Sequence, residues 1–293
     1  MKKKYDILIA GGDLRLSFLA RILRTHGFEV ICFGTEPLGR DQTDRWEKPT
    51  ETGKFEEAVA SAKHYCGGIP FAKGGMLCGN AEGFPKALSW LYVHGNALKT
   101  VFGGGLPEET VEFGSQFGIR CVDFMENESF VVDNAVLTCE GAIAEALREQ
   151  PFALHGAHVL VLGYGRCGKL LAEKLRTWPT RVTVCERDPV WRSYARAFGM
   201  DAVSMEELAD ILPEQKYVFN TIPAPVLGEE ELDAVASDAV IFDLASGCGC
   251  TDREAARKKG IRIRPLPGLP GRYAPMTAAE RMAEIIEPYL SVE

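Results

Sequence analysis

An α/β chain of two domains, with a doubly wound parallel sheet in its C-terminal part and a smaller N-terminal α/β domain ahead of it, is predicted by three observations. From His158 onward six short apolar runs alternate with amphipathic segments, the pattern that a Rossmann-type sheet covered by helices on both faces requires. The stretch up to Phe33 reads as strand, helix, strand, which implies a parallel sheet there too. With 293 residues the chain is long enough to bury two cores. The expected boundaries are 1–132 for an N-terminal domain that meets substrate or partner, 133–155 for an interdomain helix, 156–271 for the doubly wound domain and 272–293 for a last helix packing back on the first domain.

The elements follow in order. Tyr5–Ala10 is apolar enough for a buried strand, Gly11-Gly12-Asp13 turns the chain, and Leu14, Phe18, Leu19, Ile22 and Leu23 recur at helical spacing. A second strand, Glu29–Phe33, comes after His26-Gly27. Residues 34–54 are polar and turn-rich and read as loop, whereas 66–83 hold too many glycines for any regular element and read as a long loop, either one that carries function or closes over a site or a mobile connector. Val101-Phe102 and Ile119–Asp123 read as short strands, and Asn134–Glu149 as a helix leading into the second domain. Strands are then expected at 158–162, 181–185, 201–204, 217–221, 239–244 and 261–264, with helices at 166–176, 189–198, 205–211, 229–236 and 252–259. A last amphipathic segment, Thr277–Tyr289, closes the pattern.

Composition narrows the function. A hydrophobic content of 46% and a charged content of 25% are ordinary for a globular protein. A formal charge of -8 argues against nucleic acid or an anionic membrane as partner, so an anionic ligand would need local arginines. Met1-Lys-Lys-Lys-Tyr-Asp6 starts like a signal peptide but has only Ile7–Ala10 as its apolar part, and no run approaches a membrane span. Nine cysteines, an odd number without a secretion signal, suit a reducing cytoplasm. Cys248-Gly-Cys250 lacks zinc spacing, the five histidines show none, and no metal is expected.

The strongest motif is Gly163-Tyr164-Gly165-Arg166-Cys167-Gly168, set between the apolar run His158–Leu162 and the helical stretch Lys169–Arg176. Strand, glycine turn and helix N-terminus together make a cradle for the pyrophosphate of a dinucleotide: the first glycine permits the turn, the second admits the phosphates, and the third lets helix and strand pack closely. Glu186, where the next strand ends, suits the ribose hydroxyls of NAD, while Arg187 suits the phosphate of NADP, so the cofactor is NAD or NADP. Ligands of such sheets lie at the carboxyl ends of strands, which adds Asn220-Thr221-Ile222-Pro223, Asp243-Leu244-Ala245-Ser246 and the turn Pro265–Arg272 to the expected site. In the first domain Arg15 stands in a first helical turn, where a cation is unfavourable unless an anion joins it; it is a candidate anchor for a substrate carboxylate, with Asp13 the helix cap. Thr138 and Glu140, read as lying at the start of a helix, are candidates to bind substrate or relay a proton. Arg15, Thr138 and Glu140 are thus the expected catalytic residues.

Taken together, Gly11-Gly-Asp-x-Arg15, Thr138-x-Glu140-Gly141, His155-Gly156, the Gly163–Gly168 turn, Asn220–Pro223, Asp243–Ser246 and Pro267-Gly-Leu-Pro-Gly271-x-x-Ala-Pro275 resemble the family of the dipicolinate synthase A subunit. The resemblance is close from Asn134 to the end and weak over 35–130. It implies a cytoplasmic, NAD(P)-dependent oxidoreductase of spore-forming bacteria that works with a flavoprotein-like B subunit to oxidise dihydrodipicolinate, a small dicarboxylate, to the aromatic dipicolinate during sporulation. An oligomer is also expected. Two alternatives stay open, a cofactor-binding subunit without activity of its own and a dehydrogenase of 2-hydroxy or amino acids. Two positions depart from the family: Glu186 precedes Arg187 where a small residue can stand, which leaves NAD versus NADP open, and Gly247-Cys-Gly-Cys250 replaces a common proline-glycine pair.

Overall fold

The structure, a computed structural model, describes residues 4–38, 50–52, 54–79, 86–245 and 249–291. It divides into two compact units, one of 1–133 with 270–293 and the other of 134–269.

In the first unit, strand β1 (Tyr5–Ala10) leads through helix α1 (Leu14–Thr25) to β2 (Val30–Phe33) and the two-residue edge strand β3 (Thr50–Glu51). Helix α2 (Phe55–Ser61) runs straight into β4 (Ala62–Cys66), which precedes a small antiparallel hairpin, β5 (Ala72–Lys73) and β6 (Met76–Leu77). Helix α3 (Leu88–His94), β7 (Thr100–Gly103), α4 (Glu108–Phe117) and β8 (Arg120–Asp123) follow, and α5 (Glu128–Glu149) leads into the second unit. The six-stranded parallel sheet has the order β3-β2-β1-β4-β7-β8.

The period of two along β1 shows why this sheet is covered on both sides. Leu8 and Ala10 join a cluster with Phe55, Val59 and Leu91, whereas Ile7 and Ile9 join Leu19, Leu23, Met282 and Ile286. The second cluster contains the last helix of the chain, which packs against α1.

The second unit has β9 (His158–Leu162), α6 (Arg166–Arg176), β10 (Arg181–Cys185), α7 (Pro189–Ala197), β11 (Asp201–Val203), α8 (Leu208–Ile211), β12 (Tyr217–Asn220), α9 (Glu229–Ala234), β13 (Val240–Asp243), α10 (Arg253–Lys258) and β14 (Arg262–Pro265). Helices α11 (Leu269–Tyr273) and α12 (Pro275–Leu290) return the chain to the first unit. The sheet order β11-β10-β9-β12-β13-β14 is all parallel, the 3-2-1-4-5-6 arrangement of a dinucleotide-binding fold. Val159 and Val161 face α5 and α6, and Leu160 and Leu162 face the opposite cluster.

Three expectations need correction. The glycine-rich stretch after Cys66 is not wholly irregular, because β5 and β6 pair across Gly74 and Gly75, whose positive φ angles form the turn. Residues 34–54 are not loop throughout, since Thr50–Glu51 pairs with β2; 39–49 and 53 lie outside the described residues. Finally, α5 begins at Glu128 rather than Asn134, with the Asn127 side chain accepting the Phe130 amide at 3.0 Å as an N-cap does. Thr138 and Glu140 therefore sit in the middle of a helix and not at its N-terminus.

Candidate functional site

The buried strand β9 ends at Leu162, and at Gly163 φ turns to +88°, a conformation that favours glycine. A Cβ at Gly163 would come within 2.8 Å of Thr221 Oγ1 and Ile222 Cγ1, and one at Gly168 within 2.1 Å of the Gly163 carbonyl oxygen. Those two glycines hold helix and strand together. At Gly165 an added Cβ would meet nothing within 4 Å. Helix α6 starts at that open point without a side-chain N-cap, so its first-turn amides keep their affinity for an anion. This is the geometry a diphosphate requires.

The end of β10 stands beside the turn. Glu186, half-buried, accepts the Tyr164 amide at 2.8 Å through Oε2 and the Asp188 amide at 3.1 Å through Oε1. A carboxylate has about four acceptor positions, so two remain for hydroxyls of a ribose. Arg187 is exposed. Sequence reading missed Arg192, whose Nη1 donates to the carbonyls of Glu186 and Arg187 at 2.7 Å each and clamps this strand end; its place one turn into α7 was the available signal. The Lys169 ammonium lies 3.1 Å from the ring centroid of Trp191, which ties α6 to α7. Tyr164 is buried and contributes its amide rather than its phenol.

The loops after β12 and β13 divide into struts and lining. Asn220 is fully buried, donating to the Asp243 carboxylate at 2.8 Å and to the Ile222 carbonyl at 3.0 Å while accepting the Ile222 amide at 3.1 Å. Asp243 also accepts the Cys250 amide at 3.2 Å. Expected to line the site, these two side chains are buried and bonded to each other and to the backbone of their own loops. The Thr221 hydroxyl is likewise spent on the Leu162 carbonyl at 2.8 Å. Ile222, Leu244 and Ala245 stay partly exposed and Pro223 is exposed; Ser246 and Cys248 lie outside the described residues.

The three expected catalytic residues are placed differently from the reading of them. Arg15 is neither exposed nor free: it is buried, its Nε and Nη2 donate to the Asp13 carboxylate at 2.8 and 2.7 Å, and Nη2 reaches the Ile69 carbonyl at 3.3 Å. Asp13 also caps α1 through the Arg15 amide, as expected, and a Cβ at Gly271 would come within 2.3 Å of its carboxylate. The partner that relieves the unfavourable cation is thus an aspartate of the chain itself. Thr138 donates to the Asn134 carbonyl at 2.8 Å, an i−4 bond within α5. Glu140 pairs with Lys174 at 2.8 Å on the surface. The Gly11 turn is closed off by backbone, since a Cβ there would lie 2.9 Å from the Cys78 carbonyl oxygen. Among the described residues no group of three or more metal-ligating side chains stands together, and no helix is long and apolar enough to cross a membrane.

Sheet order, glycine turn and acidic strand end define the class as an NAD(P)-binding α/β protein with a Rossmann-type sheet. Residues 135–265 match the family model described as S-adenosyl-L-homocysteine hydrolase, NAD binding domain. Adenosylhomocysteinase of Aquifex aeolicus is 29% identical over 44% of this chain and 32% of its own length.

Within that class the chain is a relative of the dipicolinate synthase A subunit. The Bacillus subtilis protein of that name is 31% identical over 172 residues, 59% of this chain, and the match spans 58% of the length of that relative. The crystal structure of its Bacillus halodurans counterpart superposes with a TM-score of 0.81 at 26% identity, covering 98% of both chains.

Proposed function

We propose that the chain is the A-type subunit of a dipicolinate synthase, an NAD(P)-dependent oxidoreductase that aromatises dihydrodipicolinate to dipicolinate in the cytoplasm of a sporulating cell. The open, uncapped turn at Gly165 is the observation that carries this reading, together with the likeness to the Bacillus proteins. When bound, the nicotinamide coenzyme supplies a two-electron acceptor for the hydride that leaves the ring. The residues of the chain bind and orient: the amides around Gly165 and α6 hold the diphosphate, Glu186 takes the ribose hydroxyls, and the Asn220–Asp243 strut keeps two strand-end loops in register. Aromatisation supplies the driving force, so positioning and charge neutralisation suffice for rate. The domain boundaries 1–132, 133–155, 156–271 and 272–293, a B-subunit partner and an oligomeric state belong to the same proposal.

The test is reduced-nicotinamide absorbance when purified chain meets dihydrodipicolinate with NAD or NADP; tight cofactor binding without turnover refutes an independently active enzyme. A second reading, a cofactor-docking subunit whose partner completes the chemistry, is favoured by the engagement of Arg15, Thr138 and Glu140 in bonds of their own. Turnover that begins only when the B subunit is added would select it.

A further inference from the structure

We infer that Cys139 and Cys167 form a redox-sensitive thiol pair, which peroxide converts to a disulfide, and that this disulfide loosens the hold of the Gly163–Gly168 turn on its dinucleotide. The second half rests on the reading of that turn as the cofactor cradle. Cys167 occupies the first turn of α6, inside the glycine motif, and Cys139 lies in the middle of α5. Their sulfurs are 3.8 Å apart, and the Cys139 thiol also reaches the Cys167 carbonyl at 3.4 Å. Cys139 is fully buried, whereas Cys167 is partly exposed beside the open space at Gly165. A small oxidant would therefore approach the pair from the side of Cys167 and Gly165.

The electrostatics divide the roles in the same way. The positive end of α6 favours a thiolate at Cys167. A hydrogen bond from Cys139 lowers the Cys167 thiol from its ordinary range and raises that of Cys139, with burial raising Cys139 further. Elsewhere burial pushes Cys32, Cys185 and Cys250 up to about 12, and it raises Cys66, Cys78 and Cys121 as well. Among the described residues Cys167 is the cysteine suited to attack.

The oxidant is hydrogen peroxide. Cys167 thiolate attacks one peroxide oxygen, the O–O bond breaks, and the departing hydroxide takes the Cys139 proton to become water. Cys139 thiolate then attacks the sulfenic sulfur, the S–O bond breaks, and hydroxide leaves to be protonated as a second water. The two thiols lose two electrons and peroxide gains them. A disulfide is about 2.05 Å long, so the sulfurs must close by about 1.8 Å from their present 3.8 Å. Cys139 is held in the core of a long helix, so the helix end that bears Cys167 moves, and the first-turn amides move with it.

The experiment oxidises the full, cofactor-free chain with hydrogen peroxide, maps its peptides by mass spectrometry, and titrates NAD by calorimetry before oxidation, after it, and after dithiothreitol. The expected result is a cross-link between tryptic peptides 121–148 and 167–169, with NAD affinity down about tenfold or more and restored by dithiothreitol. Cys121 shares the first peptide, so Cys139→Ser must abolish the cross-link and the reversible affinity loss. Absence of the cross-link in wild type, its persistence in Cys139→Ser, or its formation with unchanged affinity overturns the inference. If reduced chain binds no NAD while the cross-link forms, the cradle reading has failed and the thiol pair stands without its effect on the cofactor.

Discussion

Replacing Gly165 by alanine separates folding from binding at one atom. The added methyl meets no protein atom within 4 Å, and the backbone at φ −74° and ψ −164° is open to any residue. At an N-cap alanine is poorer than glycine by roughly 0.5–1 kcal/mol, and the smaller entropy of the unfolded chain offsets about 0.4–1 kcal/mol of that. Stability should therefore stay within about 1 kcal/mol, a shift of roughly 2–4 °C in Tm. The methyl stands where the diphosphate must approach, and a lost hydrogen bond to a charged group costs about 1.5–3 kcal/mol. Calorimetric titration should show Kd for NAD and NADP rising together by about tenfold to a hundredfold. Gly168→Ala should behave in the opposite order: its Cβ would sit 2.1 Å from the Gly163 carbonyl oxygen, so α6 must shift. Such overpacking costs about 1–3 kcal/mol and should show first in Tm. Unchanged affinity in Gly165→Ala with an intact melting curve would refute the placement of the diphosphate at this turn.

Other consequences can be measured separately. Glu186→Ala should weaken NAD more than NADP in a binding titration, because the carboxylate beside the turn would repel a 2′-phosphate; equal losses would remove Glu186 from the site. Asn220→Leu strips the buried Asp243 carboxylate of a 2.8 Å donor and should lower stability by about 1–3 kcal/mol in denaturant unfolding; a midpoint equal to wild type would show that the strut carries no stability. Burial, with Lys99 and Lys63 nearby, lowers the pKa of His64 from 6.5 to about 4. Protons thus enter the unfolded chain first, and stability present above pH 6.5 falls as pH drops towards 4. His64→Gln should flatten that slope, and an unchanged slope would assign it to other groups.

Much of the second unit was legible because its strands are short apolar runs punctuated by glycine, proline and acidic residues, and a sheet buried on both faces needs little else. The first unit was harder to read. Its sheet-centre strand β4, Ala62-Lys-His-Tyr-Cys66, carries a lysine and a histidine and follows α2 without a turn, so neither alternation nor punctuation marks it. The start of α5 was misplaced because Asn134 looks like a cap, although Asn127-Glu128 offers the same signal earlier and is the one the backbone uses. The glycine positions of the candidate site follow from sterics that act locally, and their spacing reports them well. The roles of Arg15, Asn220 and Asp243 depend on partners brought close by folding, and residue type alone could not separate a ligand-facing group from a strut.

The second unit is one unbroken stretch, 134–269, whereas the first needs α12 to cover one side of β1 and α1. During synthesis, therefore, the first of these two units to be started is the second to be completed. Until Met282 and Ile286 leave the ribosome, the cluster that holds Ile7, Ile9 and Leu19 is incomplete, and the nascent chain carries all of the second unit but only part of the first. That interval is when a chaperone would find apolar surface to hold.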